Sequence, residues 1–258
     1  MDLGISGRKA IVCASSRGLG KACAAALADA GVNLVINGRD EAQLARTQAE
    51  LEQSGVSVSV VVADVSTREG QQALFDACPE PDILVNNNGG PPFRDFREVD
   101  REALLAGLEM NMITPLELIR ACVDGMGERG WGRIVNITSS SVVSPIPGLD
   151  LSSGARAGLT SFLAGVSRSV AATGVTINQI MPGAFDTDRL RGGIEFTAKR
   201  TGKSAEELAT ARAQGIPARR FGQPEEFGAA CAFLCSVHAG YITGQNLLID
   251  GGAVNKAF

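Results

Sequence analysis

The chain contains 258 residues, of which 45% are hydrophobic and 20% charged, and its formal net charge is −4. A chain of this length and composition can bury one sizeable core, so we expect residues 1–258 to form a single domain. The mild negative charge, without a long basic run, argues against nucleic acid or an anionic membrane as the main partner and favours a small-molecule substrate.

The first residues and the cysteines predict a soluble cytoplasmic protein. The opening segment MDLGISGRKAIVC lacks a basic start followed by a long apolar run, and no stretch reaches the roughly 18 apolar residues that a membrane span needs. The six cysteines are scattered; Cys231 and Cys235 lie one helical turn apart, but no histidine is placed to complete a metal site with them. We therefore expect buried, reduced thiols and no bound metal.

Apolar runs of strand length alternate with longer amphipathic stretches along the chain. Strands that are buried on both faces and separated by helices form parallel sheets with right-handed crossovers. The pattern predicts a Rossmann-like, doubly wound α/β fold of about seven strands flanked by helices. Two helices are predicted most clearly, one ending at Gly31 and one running from Asp40 to Gly55. The predicted strands are residues 9–14, 33–38, 57–63, 82–87, 132–138, 174–181 and 245–250.

The segment CASSRGLG, residues 13–20, connects the first predicted strand to the first helix. Its glycines let the backbone approach a pyrophosphate, and the helix N-terminus presents free N–H groups with a partial positive charge. In such folds ligands lie outside the carboxyl ends of the strands, which is where this turn falls. The cofactor contacts predicted from it are Ala14, Ser16, Arg17, Gly18, Leu19 and Gly20.

The end of the second predicted strand indicates which dinucleotide binds. An acidic side chain there would accept hydrogen bonds from the adenosine ribose of NAD, but the chain reads NGRD over residues 37–40. Arg39 can face a 2′-phosphate, and Arg17 can approach the same group. We expect Asp40 to cap the next helix. The segment favours NADP(H) over NAD(H), with a solvated Arg39 as the alternative.

These segments resemble the short-chain dehydrogenase/reductase family, and the resemblance covers nearly the whole chain. CASSRGLG is similar to the family's TGxxxGxG turn, with Ala14 at a position where we expect a negative φ, because only glycine visits positive φ freely. LVNNNGG (84–90) resembles the NNAG segment with Asn88 for alanine, PGAFDT (182–187) the PGxxxT loop, and GYITGQNLLIDGG (240–252) the closing segment. The resemblance implies an oxidoreductase with cofactor contacts from Asp64, Val65, Asn87, Gly89, Pro182, Gly183, Phe185 and Thr187.

The same resemblance marks four catalytic positions, two of which depart from the family. Asn111 matches the asparagine of the long central helix, and Ser139 matches the catalytic serine. The family's tyrosine, 13 residues after that serine, is Ser152 here, and its lysine, four residues later, is Arg156. A serine hydroxyl is a far weaker acid than a phenol, and an arginine cannot release a proton at neutral pH. We expect cofactor binding through Arg156 to survive and the usual proton route to be lost.

Four explanations of this altered site stay open. In the first, Ser139 and Ser152 polarise a substrate oxygen while water held by Asn111 relays the proton. In the second, a desolvated carboxylate with a raised pKa donates the proton. Asp150 is the first candidate for this role, with capping of its helix as the alternative. In the third, the substrate is an imine that needs no proton on oxygen. In the fourth, the chain binds NADPH without turnover, as a sensor or partner subunit. Reduction of a carbonyl or imine is the preferred interpretation. The other candidate carboxylates are Asp186 and Asp188.

Residues 189–220 are the predicted substrate lid, because they form the longest segment without strand character. The stretch SAEE, residues 204–207, is a capping box of Ser204 and Glu207 and predicts a short helix inside the segment. Glycines in the segment would let it move. A pocket lining and packing against the domain are equal alternatives for Pro91, Pro92, Phe93, Phe185, Leu190, Ile194 and Phe196.

A homo-oligomer is implied by the resemblance and not by a pattern in the sequence. Family members commonly pair through two long helices, here about residues 100–125 and 150–172, and through the last strand. The second of these segments is rich in glycine, alanine and serine, which permits close helix approach. We therefore expect a homotetramer or a dimer.

Overall fold

The computed structural model describes residues 1–256, and its centre is one parallel sheet of seven strands in the order β3-β2-β1-β4-β5-β6-β7. This is the predicted doubly wound α/β fold, and every predicted strand is present. From β1, successive strands are added on one side up to β3, and from β4 they are added on the other side up to β7. The switch point of the fold therefore lies between β1 and β4. The strands are β1 (Lys9–Val12), β2 (Asn33–Gly38), β3 (Val58–Val62), β4 (Ile83–Asn86), β5 (Gly132–Ile137), β6 (Val175–Pro182) and β7 (Asn246–Ile249).

The helices begin and end largely at the residues that the sequence indicates. Asp40 caps its helix by accepting a hydrogen bond from the N–H of Gln43 at 3.0 Å, and Ser204 and Glu207 form the predicted capping box. Within residues 1–256, no helix is both long enough and apolar enough to cross a membrane. The helices are α1 (Gly18–Asp29), α2 (Glu41–Leu51), α3 (Arg68–Ala77), α4 (Arg101–Leu108), α5 (Thr114–Glu128), α6 (Asp150–Val170), α7 (Asp188–Thr201), α8 (Ala205–Gln214) and α9 (Pro224–Leu234).

Hydrophobic side chains fill both faces of the sheet, because neighbouring residues of a strand point to opposite sides. In β1, Val12 belongs to the cluster that includes Leu27 of α1 and Phe227 of α9. Its neighbour Ile11 belongs to the opposite cluster, with residues of α3, α5 and α6. The six cysteines are divided between these clusters, and all are free and buried as predicted.

A π-helical turn over Glu109–Ile113 joins α4 to α5. The sequence predicts one continuous helix over about residues 100–125, whereas the structure divides it at this turn. A π turn holds one more residue than an α-helical turn and is common at functional sites. Asn111 lies at its centre and is 2% exposed.

Candidate active site

The residues predicted to contact a cofactor lie along one edge of the sheet, around the switch point between β1 and β4. Residues 14–20 form the turn after β1 and the start of α1, and residues 64–65 follow β3. Asn87 and Gly89 follow β4, and residues 182–187 include the end of β6 and the loop after it. Because every strand pair is parallel, these segments meet at the carboxyl edge of the sheet.

Ala14 has a φ of +44°, so the expectation of a negative φ is wrong. Hydrogen bonds from two sides hold this conformation. The N–H of Ala14 donates to Oδ1 of Asn37 at 3.3 Å, and Nδ2 of Asn87 donates to the carbonyl oxygen of Ala14 at 3.1 Å. A left-handed conformation costs a residue with a Cβ about 1–2 kcal/mol. The turn after β1 is therefore a strained but well-supported piece of backbone.

The turn after β1 has room for a diphosphate group. Arg17 is the N-cap residue of α1 and makes no capping hydrogen bond through its side chain, so the first N–H groups of the helix are available to an anion. A Cβ on Gly20 would lie 2.4 Å from a backbone oxygen of the turn, whereas one on Gly18 would meet nothing nearer than Thr187 at 4.0 Å. A Cβ on Gly89 would meet nothing within 4 Å. This cradle is closely packed at Gly20 and open at Gly18 and Gly89, so it has space for a dinucleotide.

The predicted adenosine end carries two exposed guanidinium groups, those of Arg17 and Arg39. Arg39 follows β2, its side chain is 80% exposed, and its Nη1 lies 3.7 Å from Oδ2 of Asp64 after β3. Ser66 donates hydrogen bonds to Asp64 from its side chain and its backbone, and these lower the pKa of the Asp64 carboxyl. The positive charges at this end suit a 2′-phosphate.

A directional chain of hydrogen bonds links three of the four catalytic positions. Nε of Arg156 donates to Oγ of Ser152 at 3.1 Å, Oγ of Ser152 donates to Oδ1 of Asn111 at 2.9 Å, and Nδ2 of Asn111 donates to the carbonyl oxygen of Gly89 at 3.0 Å. The direction is set at both ends, because a guanidinium only donates and a carbonyl oxygen only accepts. The hydrogen of the Ser152 hydroxyl is therefore held by Asn111 and does not face a substrate.

Arg156 is a buried cation, 8% exposed. Its Nη1 donates to the carbonyl oxygen of Ile137 at 2.6 Å, and its Nη2 lies 3.5 Å from that of Asn88. Desolvation lowers the pKa of Arg156 to about 10, with a further contribution from the charge of Arg189, so the group is cationic at neutral pH. No ion pair between residues of the 1–256 range includes Arg156. Two of its five N–H donors are left for a ligand.

Ser139 lies two residues after the end of β5 and caps a 3₁₀ turn over Ser140–Val142. Its Oγ accepts a hydrogen bond from the backbone N–H of Ser141 at 3.1 Å and another from Oγ of Ser141 at 2.9 Å. Because this oxygen already accepts, its own hydrogen is free to be donated to a ligand. Of the two serines predicted to polarise a substrate oxygen, Ser139 is the one that offers a hydrogen.

A small cavity of about 10 Å³, lined by both polar and apolar side chains, lies beside Arg156 and Asn111. Its lining includes Asn86 and Thr114, whose Oδ1 and Oγ1 atoms are buried without a hydrogen-bond partner in the described part of the chain. A cavity of this volume holds about one water molecule when polar groups surround it. The site therefore has room for one water next to the hydrogen-bond chain.

The candidate carboxylates are placed less favourably for proton transfer. Asp150 is exposed at the first position of α6, and it does not cap that helix, whose N-cap residue is Leu149. Nε of Arg191 donates to Asp186 at 2.8 Å and lowers the pKa of that carboxyl, which is opposite to the raised pKa that the role of proton donor requires. Asp188 is exposed and lies 4.0 Å from Arg191.

The segment predicted as a lid contains two helices, of which α7 buries only Ile194 and α8 buries none of its residues. Phe185 packs edge-to-face against Phe227, with ring centroids 5.3 Å apart, so its side chain belongs to the core. Of the two alternatives for Phe185, the structure shows packing against the domain, which leaves its backbone to face a cofactor. Phe196 is 62% exposed.

Arg189 was not predicted as a site residue, although its guanidinium lies near the site. A Cβ added to Gly90, after β4, would lie 2.9 Å from Nη2 and 3.3 Å from Nη1 of Arg189. The residue occupies the second position of α7, where the helix dipole disfavours a cation. An arginine in the first helical turn after a PGxxxT-like loop is the signal that could have revealed it.

The fold and this edge of the sheet define an oxidoreductase that binds a nicotinamide dinucleotide. A family model described as Enoyl-(Acyl carrier protein) reductase matches residues 13–254. The chain belongs to the short-chain dehydrogenase/reductase family.

Curated relatives and solved structures match the chain over almost its full length. The NADPH-dependent reductase BacG of Bacillus subtilis is 31% identical over 98% of this chain and 100% of the relative. The 3-oxoacyl-[acyl-carrier-protein] reductase FabG of Vibrio cholerae is 31% identical over 97% and 98%. The crystal structure of L-sorbose reductase from Gluconobacter frateurii with NADPH and L-sorbose superimposes with a TM-score of 0.94, at 30% identity over 100% of both chains.

Proposed function

We propose that the chain reduces a carbonyl group of a small molecule with NADPH, and that Ser139 and Arg156 stabilise the charge that develops on the carbonyl oxygen. The observation that carries this proposal is the chain of hydrogen bonds through Ser152 and Asn111, which holds a buried guanidinium beside the end of β5. Donors that are fixed before the reaction need no reorganisation when negative charge develops.

NADP(H) is the cofactor that the residues fit. The open cradle at Gly18 and the N-terminus of α1 suit the diphosphate. Arg17 and Arg39 suit a 2′-phosphate. Relatives with this fold are named as NADPH-dependent reductases or were solved with NADPH. When bound, the cofactor supplies the hydride that reaches the carbonyl carbon.

The positive charge of the site favours a carbonyl over an iminium substrate. Arg156 is cationic and has no carboxylate partner in the described chain. A buried, unpaired cation repels a cationic substrate and attracts a developing alkoxide. Of the sequence-based alternatives, reduction of a carbonyl therefore fits the electrostatics better than reduction of an iminium.

Water is the proposed proton source, because each candidate side chain lacks the required position or pKa. The cavity beside Arg156 is lined by Thr114 and Asn86, which offer hydrogen-bonding atoms that no group within residues 1–256 uses. A water bound there would deliver its proton to the alkoxide oxygen, and the hydroxide left behind would be reprotonated from solvent. Ser152 and Asn111 are positioning residues in this scheme, since they act through Arg156.

The helices α7 and α8 are proposed to form the substrate lid. They bury almost no side chains of their own, which is typical of segments that open at low cost. The base of the segment is tied down, because Arg220 donates two hydrogen bonds of 2.7 Å to Glu226 and a bridge pairs Phe185 with Gly222. Closure of the lid would exclude water from the reacting carbon.

A homotetramer or dimer remains our proposal for the assembly. The helices through which we expect the subunits to pair carry exposed apolar side chains. These are Leu104 and Leu105 on α4 and Phe162 on α6, which are 48%, 51% and 55% exposed. Clusters of this kind mark interaction surfaces. A monomeric sedimentation coefficient would contradict the proposal.

We also propose a cytoplasmic location. All six cysteines are free and buried, and burial raises the pKa of Cys13 and Cys122 to about 12. Thiols used in this way, without a disulfide, are typical of reducing compartments.

The test is to measure NADPH binding by fluorescence titration and NADPH oxidation by absorbance, with a panel of ketones, activated carbonyls and cyclic imines. The variants are Ser139→Ala, Ser152→Ala and the double variant Ser152→Tyr/Arg156→Lys. We expect turnover of an activated carbonyl by the wild type. Ser139→Ala should lower kcat by about 100-fold and leave NADPH affinity unchanged, because it removes one oxyanion donor.

Two outcomes would contradict the proposal. If the wild type binds NADPH and turns over nothing, while the double variant gains activity, the native chain is a cofactor-binding sensor or partner subunit. Turnover of imines without turnover of carbonyls would contradict the electrostatic argument.

A further inference from the structure

Two arginines face the same small region of the active-site edge, and neither has an acidic partner within the described chain. Arg156 donates only to neutral oxygens, those of Ser152, Ile137 and Asn88. Arg189 takes part in none of the ion pairs or side-chain hydrogen bonds of residues 1–256, whereas its neighbour Arg191 pairs with Asp186 and Asp188. Arg156 is buried, whereas Arg189 is exposed to solvent. Like charges near one another repel, and a ligand carboxylate between them would replace this repulsion with attraction.

The position of Arg189 strengthens this reasoning. It lies in the first turn of α7, where the helix dipole opposes a positive charge. Its guanidinium covers Gly90, as the 2.9 Å separation between Nη2 and a Cβ placed there shows. An added Cβ would displace the flexible end of the Arg189 side chain, so the glycine leaves space for the guanidinium in its present position. Arg189 is also close enough for its charge to lower the pKa of Arg156 beyond the effect of desolvation.

The cofactor diphosphate is the other anion that could use this pair, but its expected place is different. The diphosphate cradle is the turn after β1 with the N-terminus of α1, and Gly18 of that cradle faces Thr187. Arg156 is bound instead to the carbonyl oxygen of Ile137 at the end of β5, two residues before Ser139. The two cations therefore border the reacting end of the site.

We propose that Arg189 and Arg156 form a carboxylate-binding subsite, and that the carbonyl substrate is a small oxo acid whose carboxylate lies between them. This inference rests on the proposed reductase function and adds the substrate class. A guanidinium and a carboxylate form paired, charge-assisted hydrogen bonds that also fix orientation. The carboxylate would place the carbonyl next to Ser139, and Arg189 would bring α7 down over the substrate.

The binding of two substrate analogues, one negatively charged and one neutral, tests the subsite without a measurement of turnover. Oxamate, which carries a carboxylate, and oxamide, its neutral counterpart of the same shape, are titrated calorimetrically into the NADP⁺ complex of the full chain. The variants are Arg189→Ala, Gly90→Ala, which moves the guanidinium without removing it, and Arg200→Ala as the control. Arg200 lies on the same helix with its guanidinium over Phe196, so it matches the change in charge and helix.

We expect oxamate to bind and oxamide not to bind. Arg189→Ala should weaken oxamate binding by about 10-fold or more, the value of a lost hydrogen bond to a charged group. Gly90→Ala should weaken it to a lesser degree, and Arg200→Ala should not change it. NADP⁺ affinity should be the same in all four proteins.

Three results would overturn the proposal. Equal binding of oxamate and oxamide would show that charge is not recognised, and no oxamate binding up to its solubility limit would show that there is no such subsite. A loss of NADP⁺ affinity in Arg189→Ala would assign Arg189 to the cofactor diphosphate. Because no turnover is measured, a failed reductase assay leaves this result interpretable: oxamate binding by an inactive chain would keep the subsite and reject the reductase.

Discussion

Replacing Ser152 with alanine tests the hydrogen-bond chain directly. The variant removes one hydrogen bond from the buried cation Arg156 and one to the amide of Asn111. The first is worth about 1.5–3 kcal/mol and the second about 1 kcal/mol. The higher helix propensity of alanine offsets about 0.5 kcal/mol of this loss in the free energy of unfolding. We therefore expect the free energy of unfolding to fall by about 2–3.5 kcal/mol, which corresponds to a Tm lower by about 4–14 °C for a chain of this size.

The neighbouring residue provides a matched control. Ser153 lies on the same turn of α6, is 9% exposed, and its hydroxyl has no hydrogen-bond partner within the described residues. Ser153→Ala removes an unsatisfied polar group and should leave stability unchanged or raise it by up to about 1 kcal/mol. The assay is urea unfolding followed by circular dichroism, at one protein concentration and without cofactor. Equal losses in the two variants would refute the chain through Ser152.

Further predictions concern the cofactor turn, the adenosine end and the buried thiols. Ala14→Gly removes the strain of a positive φ at some cost in chain entropy and should raise the free energy of unfolding by up to about 1 kcal/mol in the same urea assay. Arg39→Ala should weaken NADPH binding by about 10-fold and leave NADH binding unchanged, as measured by fluorescence titration. The folded-state pKa of Asp64 is lowered, so its stabilising contribution is present above the usual value of 3.8 and is lost as the pH falls; the stability of Ser66→Ala should therefore decline less on acidification than that of the wild type. Cys122 should react with a thiol reagent only after unfolding, because burial raises its pKa to about 12.

The fold could be predicted because its signal is local. Each strand is a short apolar run followed by a turn or a helix, and seven such runs define the sheet without knowledge of any distant contact. The helix caps at Asp40 and Ser204 are equally local, since each cap and its partner lie three residues apart. Such features depend only on residues that are close in the sequence, so they can be predicted from the sequence alone.

The sequence does not determine features that depend on distant partners, of which the φ of Ala14 was predicted wrongly. Ala14 keeps a positive φ because Asn37 and Asn87, 23 and 73 residues away, hold its backbone. The hydroxyl of Ser152 turns towards Asn111, 41 residues away, and this pairing decides that Ser139 is the available donor. Phe185 packs into the core because α9 presents Phe227 to it. Tertiary contacts of this kind have no periodicity in the sequence that would reveal them.

The π turn at Glu109–Ile113 limits how the length of this chain can change. Successive residues of an α-helix are rotated by about 100°, so α4 and α5 are out of phase by one residue across the turn. Deletion of one residue there would let the turn relax into a regular α-helical turn, and α4 and α5 would keep nearly their present orientation because the π turn only accommodates the extra residue. Leu104 and Leu105 would keep their direction, whereas Asn111 would be withdrawn from Gly89. A single-codon deletion in this stretch would thus disturb the active centre and leave the outer surface of the two helices nearly unchanged.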